Sequence, residues 1–242
     1  MRLIGLLGGV SWESTAIYYR LMNREVATRL GGLHSARLLI HSFDFAELAE
    51  LQRQGEWADI GVRLARTATQ LEAAGAEAIL LATNTLHHVA ARIESAIRIP
   101  FLHIVDPTGD ALKRAGVRRA GFLGTRYSME LPFWKERLAT RYEIEMLTPD
   151  TSDRDVVHRI IYEELAVGRV DDASRVAYVE IINRLRSAGA EVVILGCTEI
   201  GMLIKQHDSA LPVFDTAELH ACAGIDFSLA PHESGRRCQL LL

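Results

Sequence analysis

The chain has 242 residues, of which 49% are hydrophobic, and its formal net charge is −4. The sequence has no strong basic cluster, which argues against a nucleic-acid partner. Its apolar runs are all shorter than the ~20 residues of a membrane-spanning helix, so we expect a cytoplasmic protein that does not bind a membrane. The three cysteines, Cys197, Cys222 and Cys238, form no CxxC pair and are odd in number, which argues against a disulfide framework.

Strands and helices alternate along the first half of the chain. Residues 2–8 are predicted to form a strand, and Ser11 is a favourable N-cap for a helix over residues 12–29. The other elements of this half are predicted at residues 36–42 (strand), 57–74 (helix), 78–81 (strand) and from Thr85 towards Ile97 (helix).

The second half is predicted to start near Pro100 and to have the same alternation. Its strands are predicted near residues 119–124, 143–147 and 191–196, and its helices near 105–115, 128–140, 152–166 and 173–188. A last helix over residues 215–227 is expected to return to the first domain. The pattern predicts two α/β domains with parallel sheets. They comprise residues 1–99 plus 209–230 and residues 100–208, and residues 231–242 form a tail.

The two halves also repeat each other in sequence. The segment AGAEAILLATNT at residues 74–85 resembles AGAEVVILGCTE at residues 188–199. In addition, Gly5 matches Gly121 and Gly8 matches Gly124, each pair being 116 residues apart. A looser match joins residues 99–106 to residues 211–216. Matches in the same order along the chain predict an internal duplication, with two strand tips at equivalent positions of two pseudosymmetric domains.

Small polar residues follow four of the predicted strands. In open α/β sheets, ligands bind beyond the carboxyl ends of the strands, and N–H groups at helix starts suit carboxylates. These clusters therefore predict a site for a small dicarboxylate or an amino acid. They are Gly8-Gly9-Val10-Ser11, Thr83-Asn84-Thr85, Gly124-Thr125 and Cys197-Thr198-Glu199.

Cys197 is the strongest candidate for a catalytic residue, and Thr83 is the equivalent residue in the repeat. A helix start after Cys197 is expected to lower the thiol pKa from about 8.5, which favours a base or a nucleophile. The alternative for Cys197 is a small buried residue. Thr83 can donate or relay a proton, but it is a poor base. Its alternative role is a hydroxyl that bonds nearby backbone.

Several other polar residues leave two interpretations open. Gln52 is either a ligand for a substrate carboxylate or a solvated loop residue. Glu199 either tunes Cys197 or caps the following helix. His87 and His88 are predicted to have structural roles. One is expected to face the rear of the site and the other to face solvent. Cys222 and Cys238 have no small polar neighbours at a strand tip and are expected to be inert.

Cofactor and metal motifs are missing from the sequence. HExxH and GxxxxGK[ST] do not occur, and the glycines at residues 5–9 lack the GxGxxG spacing. The lysines lie away from the predicted strand tips, which argues against a pyridoxal phosphate cofactor bound to one of them. We therefore expect an activity that needs neither a cofactor nor a metal.

At several segments the chain resembles the aspartate/glutamate racemase family. Taken together, the matches are specific and extend over most of residues 2–230. They are GLLGGVSWEST at residues 5–15, HSFDF at 41–45, TNTLH at 83–87, GTR at 124–126, GCTE at 196–199 and PVFDT at 212–216.

The resemblance implies two pseudosymmetric α/β domains with the active site between them. It also implies cofactor-independent racemisation of aspartate or glutamate, and a homodimer. In this family two cysteines flank the α-carbon of the substrate, one removing the α-proton and the other returning a proton to the opposite face. Cys197 matches the second cysteine, whereas Thr83 stands in place of the first. The resemblance makes these two residues the catalytic pair.

The same resemblance implies the residues that hold the substrate. They are the hydroxyl and amide side chains Asn84, Thr85, Thr125 and Thr198, the backbone of Val10 and Ser11, and Gln52. Many relatives carry a lysine near the end of the helix that closes here with residues 164–167, and this chain lacks it.

Replacing a cysteine by Thr83 leaves other functions open. Cys197 can serve as a base for one enantiomer, whereas the reverse direction needs a weakly acidic hydroxyl to act as the base. The first alternative is a decarboxylase or isomerase of a small dicarboxylate. The second is a catalytically silent amino-acid-binding protein.

Overall fold

The computed structural model describes residues 1–231, so Cys238 and all but the first residue of the predicted tail lie outside the described residues. The strands are β1 (Ile4–Gly8), β2 (Leu38–Ser42), β3 (Ala78–Leu81), β4 (Phe101–Leu102), β5 (Arg119–Gly124), β6 (Glu145–Leu147), β7 (Val192–Gly196) and β8 (Val213–Asp215). The helices are α1 (Trp12–Leu30), α2 (Phe45–Gln54), α3 (Trp57–Ala73), α4 (Ala90–Glu94), α5 (Val105–Arg114), α6 (Arg126–Glu130), α7 (Pro132–Tyr142), α8 (Thr151–Glu163), α9 (Asp172–Ser187), α10 (Ile200–Leu203) and α11 (Thr216–Leu229).

The strands form two parallel four-stranded sheets with the same topology. The strand order is β2-β1-β3-β4 in the first sheet and β6-β5-β7-β8 in the second. Each strand of one sheet thus has a counterpart four strands later in the chain. This correspondence confirms the predicted fold class, two duplicated α/β halves with parallel sheets.

The repeat extends to backbone geometry at the turns before β3 and β7. Gly75 and Gly189, which are equivalent in the sequence repeat, have φ values of 98° and 96°. Residues with a side chain rarely adopt this left-handed region, whereas glycine enters it without steric cost. The same residue type therefore makes the same turn from helix into strand in both halves.

Two short strands belong to a different domain from the one that the predicted boundaries assign them to. β4 pairs with β3 through Ile79 and Phe101, and β8 pairs with β7 through Val193 and Val213. The predicted breaks at residues 99/100 and 208/209 fall before these strands and would move each of them into the other half. In the structure, each short strand extends its own sheet before the chain crosses over.

The strand interiors are apolar because helices cover the sheets. Every residue of β1, β3 and β7 is buried, as is typical of parallel sheets with both faces covered. α11 packs on α1 and α5, and its Ala217, Ala221 and Ile225 join a core with Tyr18 and Met22. This packing leaves the carboxyl ends of the strands free for polar residues. Within residues 1–231, the helices are too short or too polar to cross a membrane.

Candidate active site

The polar residues at the strand ends line one pocket between the two sheets. The nine residues predicted from the sequence all take part: Val10, Ser11, Gln52, Thr83, Asn84, Thr85, Thr125, Cys197 and Thr198. The pocket lies beyond the carboxyl ends of the strands, where open α/β sheets bind their ligands. Their roles in binding and catalysis stay predictions, but the structure brings all nine together.

Hydrogen bonds between the halves close the pocket. Thr85, which follows β3, and Thr125, which follows β5, share a hydrogen bond of 2.8 Å between their hydroxyls. Thr125 also caps α6 by accepting from the Ser128 N–H group. Because these groups lie at the carboxyl ends of different sheets, the pocket belongs to the junction of the two halves.

Glu199 is the centre of a buried hydrogen-bond network. The hydroxyls of Ser11 and Ser14 donate to Oε1, the latter at 2.9 Å. The Thr198 hydroxyl and the Cys197 thiol donate to Oε2 at 2.5 and 3.0 Å. The side chain makes no capping hydrogen bond to α10. Of its two predicted roles, the structure thus favours tuning Cys197 over capping the helix.

The environment of Cys197 corrects the predicted thiol chemistry. Burial raises the pKa of the Cys197 thiol well above its ordinary value, and the charge and hydrogen bond of Glu199 act in the same direction. The expected lowering by a helix start is wrong because α10 has only four residues and begins three residues later, at Ile200. Cys197 is therefore a protonated thiol whose hydrogen points to a carboxylate.

Thr83 is fixed through its backbone by a buried histidine. His87 Nδ1 lies 2.7 Å from the Thr83 carbonyl, and His87 Nε2 accepts from the Ile104 N–H group at 3.2 Å. Burial, then His103 and His220, lower the pKa of His87 well below its usual value, so the ring stays neutral. The helix predicted from Thr85 is a 3₁₀ turn, Thr85–Val89, followed by the short α4.

The side-chain amide of Asn84 has a defined orientation. Thr216 donates its one hydroxyl hydrogen to the Leu195 carbonyl at 2.8 Å. Its contact with Asn84, at 3.0 Å, must then be donated by Asn84 Nδ2. Among the described residues, Asn84 Oδ1 is buried without a hydrogen-bond donor. Because Asn84 lines the pocket, this unsatisfied acceptor lies at the site.

Gln52 lies on α2, a helix that was not predicted from the sequence. The side chain is 3% exposed, so the solvated-loop interpretation is wrong. The Tyr162 hydroxyl donates to Gln52 Oε1 at 3.4 Å, and the ring of Tyr162 stacks on Phe45 with centroids 6.3 Å apart. These three residues form one end of the pocket.

Further lining residues were not singled out by the sequence. They include Ser14, Phe45, Ile161, Tyr162 and Ala166. Ser14 carried a signal, because it lies one turn after the N-cap Ser11 and faces the same side of α1. The α8 residues carried none, since nothing in the local pattern shows that the end of α8 reaches the pocket.

The remaining histidine and cysteine candidates have structural surroundings. His88 is half-buried against the rings of Trp57 and Phe133, so His87 faces the rear of the site and His88 the outside of the pocket. Cys222 lies half-buried on α11, and burial raises its pKa. Neither residue lines the pocket. The structural role of His88 and the inertness of Cys222 stay predictions.

This architecture defines a class of α/β protein, in which two duplicated halves hold a small-molecule pocket at facing strand ends. A family model described as Asp/Glu/Hydantoin racemase matches residues 7–223. The chain therefore belongs to the Asp/Glu/hydantoin racemase family. This result confirms the resemblance found in the sequence and the enzyme class, since racemases are isomerases.

Individual relatives agree with the family assignment. The chain is 46% identical to a candidate Asp/Glu racemase from Yersinia pestis, with a TM-score of 0.88 over 95% of this chain and all of the other. An aspartate racemase homologue from Pyrococcus horikoshii is 33% identical, with a TM-score of 0.81 over 94% and 99% of the two chains. The broad specificity amino-acid racemase RacX of Bacillus subtilis is 25% identical over 67% of this chain and 70% of its own.

Proposed function

We propose that this protein is a cofactor-independent amino-acid racemase in which Cys197 and Thr83 exchange protons with the α-carbon of the substrate. The observation that carries the proposal is their placement at equivalent positions of the two halves, on the same pocket. A carbon acid held between these two residues offers one face to a thiol and the other to a hydroxyl. The rest of the pocket supports this arrangement.

The Cys197–Glu199 pair supplies the base. The thiol itself is protonated, so its hydrogen must leave before the sulfur can accept another. Glu199 Oε2, at 3.0 Å from Sγ, is positioned to take that hydrogen. The sulfur then removes the α-proton, and the electron pair of the C–H bond delocalises into the substrate carboxylate. Substrate ammonium in the pocket favours the thiolate by adding a positive charge.

Thr83 supplies a proton to the opposite face. Its hydroxyl donates to the carbanion and regains a proton from water. The hydroxide left behind takes the hydrogen held by Glu199, so the protein returns to its starting state. The reverse reaction needs the Thr83 oxygen as the base, which is much less favourable because an alcohol is a far weaker acid than a thiol. The equilibrium between enantiomers stays at one, so the asymmetry changes rates and saturation rather than the final ratio.

The neutral polar groups bind the part common to all amino acids. The hydroxyls of Thr85, Thr125 and Thr198 are suited to the α-carboxylate, as the sequence resemblance implies. Asn84 Oδ1, an acceptor without a donor among the described residues, is suited to the α-ammonium.

Exchange of the α-proton with solvent tests the proposal. The protein is incubated in D₂O with each enantiomer of a panel of amino acids, which includes aspartate and glutamate, the substrates that the family name suggests. Proton NMR follows loss of the α-hydrogen, and chiral chromatography follows inversion. We expect exchange with at least one amino acid and a decrease of about 10²–10⁴-fold in Cys197→Ala.

The matched control is Cys222→Ala, which removes a thiol outside the pocket and should leave the rate unchanged. Exchange that is undetectable with the whole panel, or equal in wild type and Cys197→Ala, would contradict the proposed function.

A further inference from the structure

We infer that the substrate of this site has an uncharged polar side chain, of the amide or hydroxyl type, rather than the second carboxylate of aspartate or glutamate. The inference rests on the proposed racemase function and narrows its substrate class. It follows from the charges among the lining residues, from the groups at one end of the pocket and from the partners of arginines that lie close to lining residues in sequence.

The pocket has a carboxylate but no matching cation. Among the lining residues that the structure describes, Glu199 is charged and none is lysine or arginine. The α-carboxylate and α-ammonium of an amino acid balance each other. A side-chain carboxylate would add a second negative charge beside Glu199, buried and without a counter-ion, which is strongly unfavourable.

Arginines that lie close to lining residues in sequence pair with other carboxylates. Arg159 and Arg169 approach the buried Glu164 at 4.0 and 3.9 Å. Glu164 in turn accepts from the Ser174 hydroxyl at 2.7 Å. Arg126, which follows the lining residue Thr125, pairs with Asp155 at 2.7 Å. None of these arginines lines the pocket.

The end of the pocket formed by Phe45, Gln52 and Tyr162 has no charged side chain but has groups that can form hydrogen bonds. Phe45, Ile161 and Ala166 supply apolar walls, and between them lie the amide of Gln52 and the hydroxyl of Tyr162. Burial raises the Tyr162 pKa, and the neighbouring Tyr127, Cys197 and Glu199 raise it further, so the side chain stays a neutral phenol. An amide and a phenol can each donate and accept, which matches an amide or hydroxyl side chain.

Isosteric substrate pairs test the inference directly. Aspartate is compared with asparagine, and glutamate with glutamine, because each pair differs in charge but hardly in shape. The readout is kcat/KM for α-proton exchange in D₂O with the wild-type protein. We expect the amide of each pair to exchange at least 10-fold faster than the acid.

A charge-introducing variant provides the second arm. Ala166→Lys places a cation at the apolar wall and should shift the ratio of acid to amide rates at least 10-fold towards the acid. Val167→Lys is the matched control, since Val167 is 66% exposed and does not line the pocket, and its ratio should equal that of wild type.

The outcomes separate this inference from the function on which it rests. Exchange with the acids at rates equal to or above the amides overturns the uncharged-substrate inference and leaves the racemase proposal standing. A ratio that Ala166→Lys does not move also counts against the subsite, provided that the variant still exchanges an amide substrate. Absence of exchange with all amino acids overturns both.

Discussion

The Cys197 thiol donates its hydrogen to the Glu199 carboxylate at 3.0 Å, inside a pocket where burial alone already disfavours a thiolate. The same contact has two opposite effects. The charge of Glu199 raises the thiol pKa, whereas its oxygen gives the thiol proton a place to go. Replacing the carboxylate separates these effects.

Glu199→Gln should lower the Cys197 pKa and yet slow α-proton exchange by about 10- to 100-fold. The pKa falls because a negative charge is removed, and the rate falls because the neutral amide cannot take the thiol hydrogen as the carboxylate does. Alkylation by iodoacetamide at different pH values, in a background where Cys222 and Cys238 are serine, measures the thiol pKa. An unchanged or raised pKa, or an unchanged rate, would show that Glu199 does not act on Cys197.

Thr83→Cys should raise turnover in the direction for which Thr83 serves as the base. A thiol is a much stronger acid than an alcohol, so the substitution creates a competent base on that face. The measurement is the initial rate of inversion from each enantiomer separately. Thr69→Cys, at an exposed position of α3, is the control thiol. If neither direction changes in Thr83→Cys, Thr83 does not take part in proton transfer.

Stability should decrease as the pH falls below about 6.5. The buried rings of His87, His103 and His220 pack together, and burial lowers the pKa of all three, to about 3 for His103 and about 4 for His220. The unfolded chain binds protons near pH 6.5 while the folded chain does not. Each histidine therefore removes about 1.4 kcal/mol per pH unit between pH 6.5 and its folded pKa.

Asp215 has the opposite effect in part of this range. Burial raises its pKa to about 6, so the folded state binds a proton as the pH falls from 6 towards 4. Below pH 6, the difference in bound protons between the unfolded and folded chains is then about one smaller than the three histidines alone would give. The free energy of unfolding therefore falls less steeply with pH. Urea unfolding at intervals between pH 7 and pH 5 measures this slope. A stability that stays constant over that interval would contradict the neutral histidine cluster.

Gly9→Ala should destabilise the fold by more than 2 kcal/mol. Gly9 has a φ of 75°, and a Cβ there would lie 2.2 Å from the backbone N and O atoms of Phe43. The left-handed backbone costs about 1–2 kcal/mol for a residue with a side chain, and the overlap with backbone atoms adds to it. Thermal unfolding of the variant measures the change.

The control for this variant is Gly32→Ala. Gly32 also has a positive φ, 58°, but a Cβ there would meet nothing within 4 Å. Only the conformational cost should remain, so its Tm should fall less than that of Gly9→Ala. Equal Tm values for the two variants would mean that the close approach of Phe43 to Gly9 does not matter for stability.

The sequence predicted the parts of the site that depend on local pattern. Strand ends such as Thr83 and Cys197 were recognisable because a buried apolar run stops at small polar residues, and the repeat placed them at equivalent positions. The Gln52 helix was not predicted, although its segment carried helical signals. Asp44 caps its start, Phe45, Leu48 and Leu51 recur at a three-residue spacing, and Gly55 ends it in the left-handed conformation.

Properties set by long-range contacts could not be predicted. The raised pKa of Cys197 comes from burial and from the conformation of Glu199, neither of which is visible in a strand-tip pattern. The same holds for Tyr162, which reaches Gln52 across 110 residues of sequence. The homodimer stays a prediction.

In the proposed reaction, Cys197 and Thr83 act on opposite faces of the α-carbon. The most direct test is to measure which enantiomer contains deuterium early in the reaction. Inversion is followed in D₂O from a single enantiomer, and both enantiomers are isolated before a tenth of the substrate has reacted. With Cys197 and Thr83 on opposite faces, the product enantiomer should carry deuterium while the recovered substrate keeps its α-hydrogen. Deuterium appearing equally in recovered substrate and product would mean that one group serves both faces, and would contradict the account.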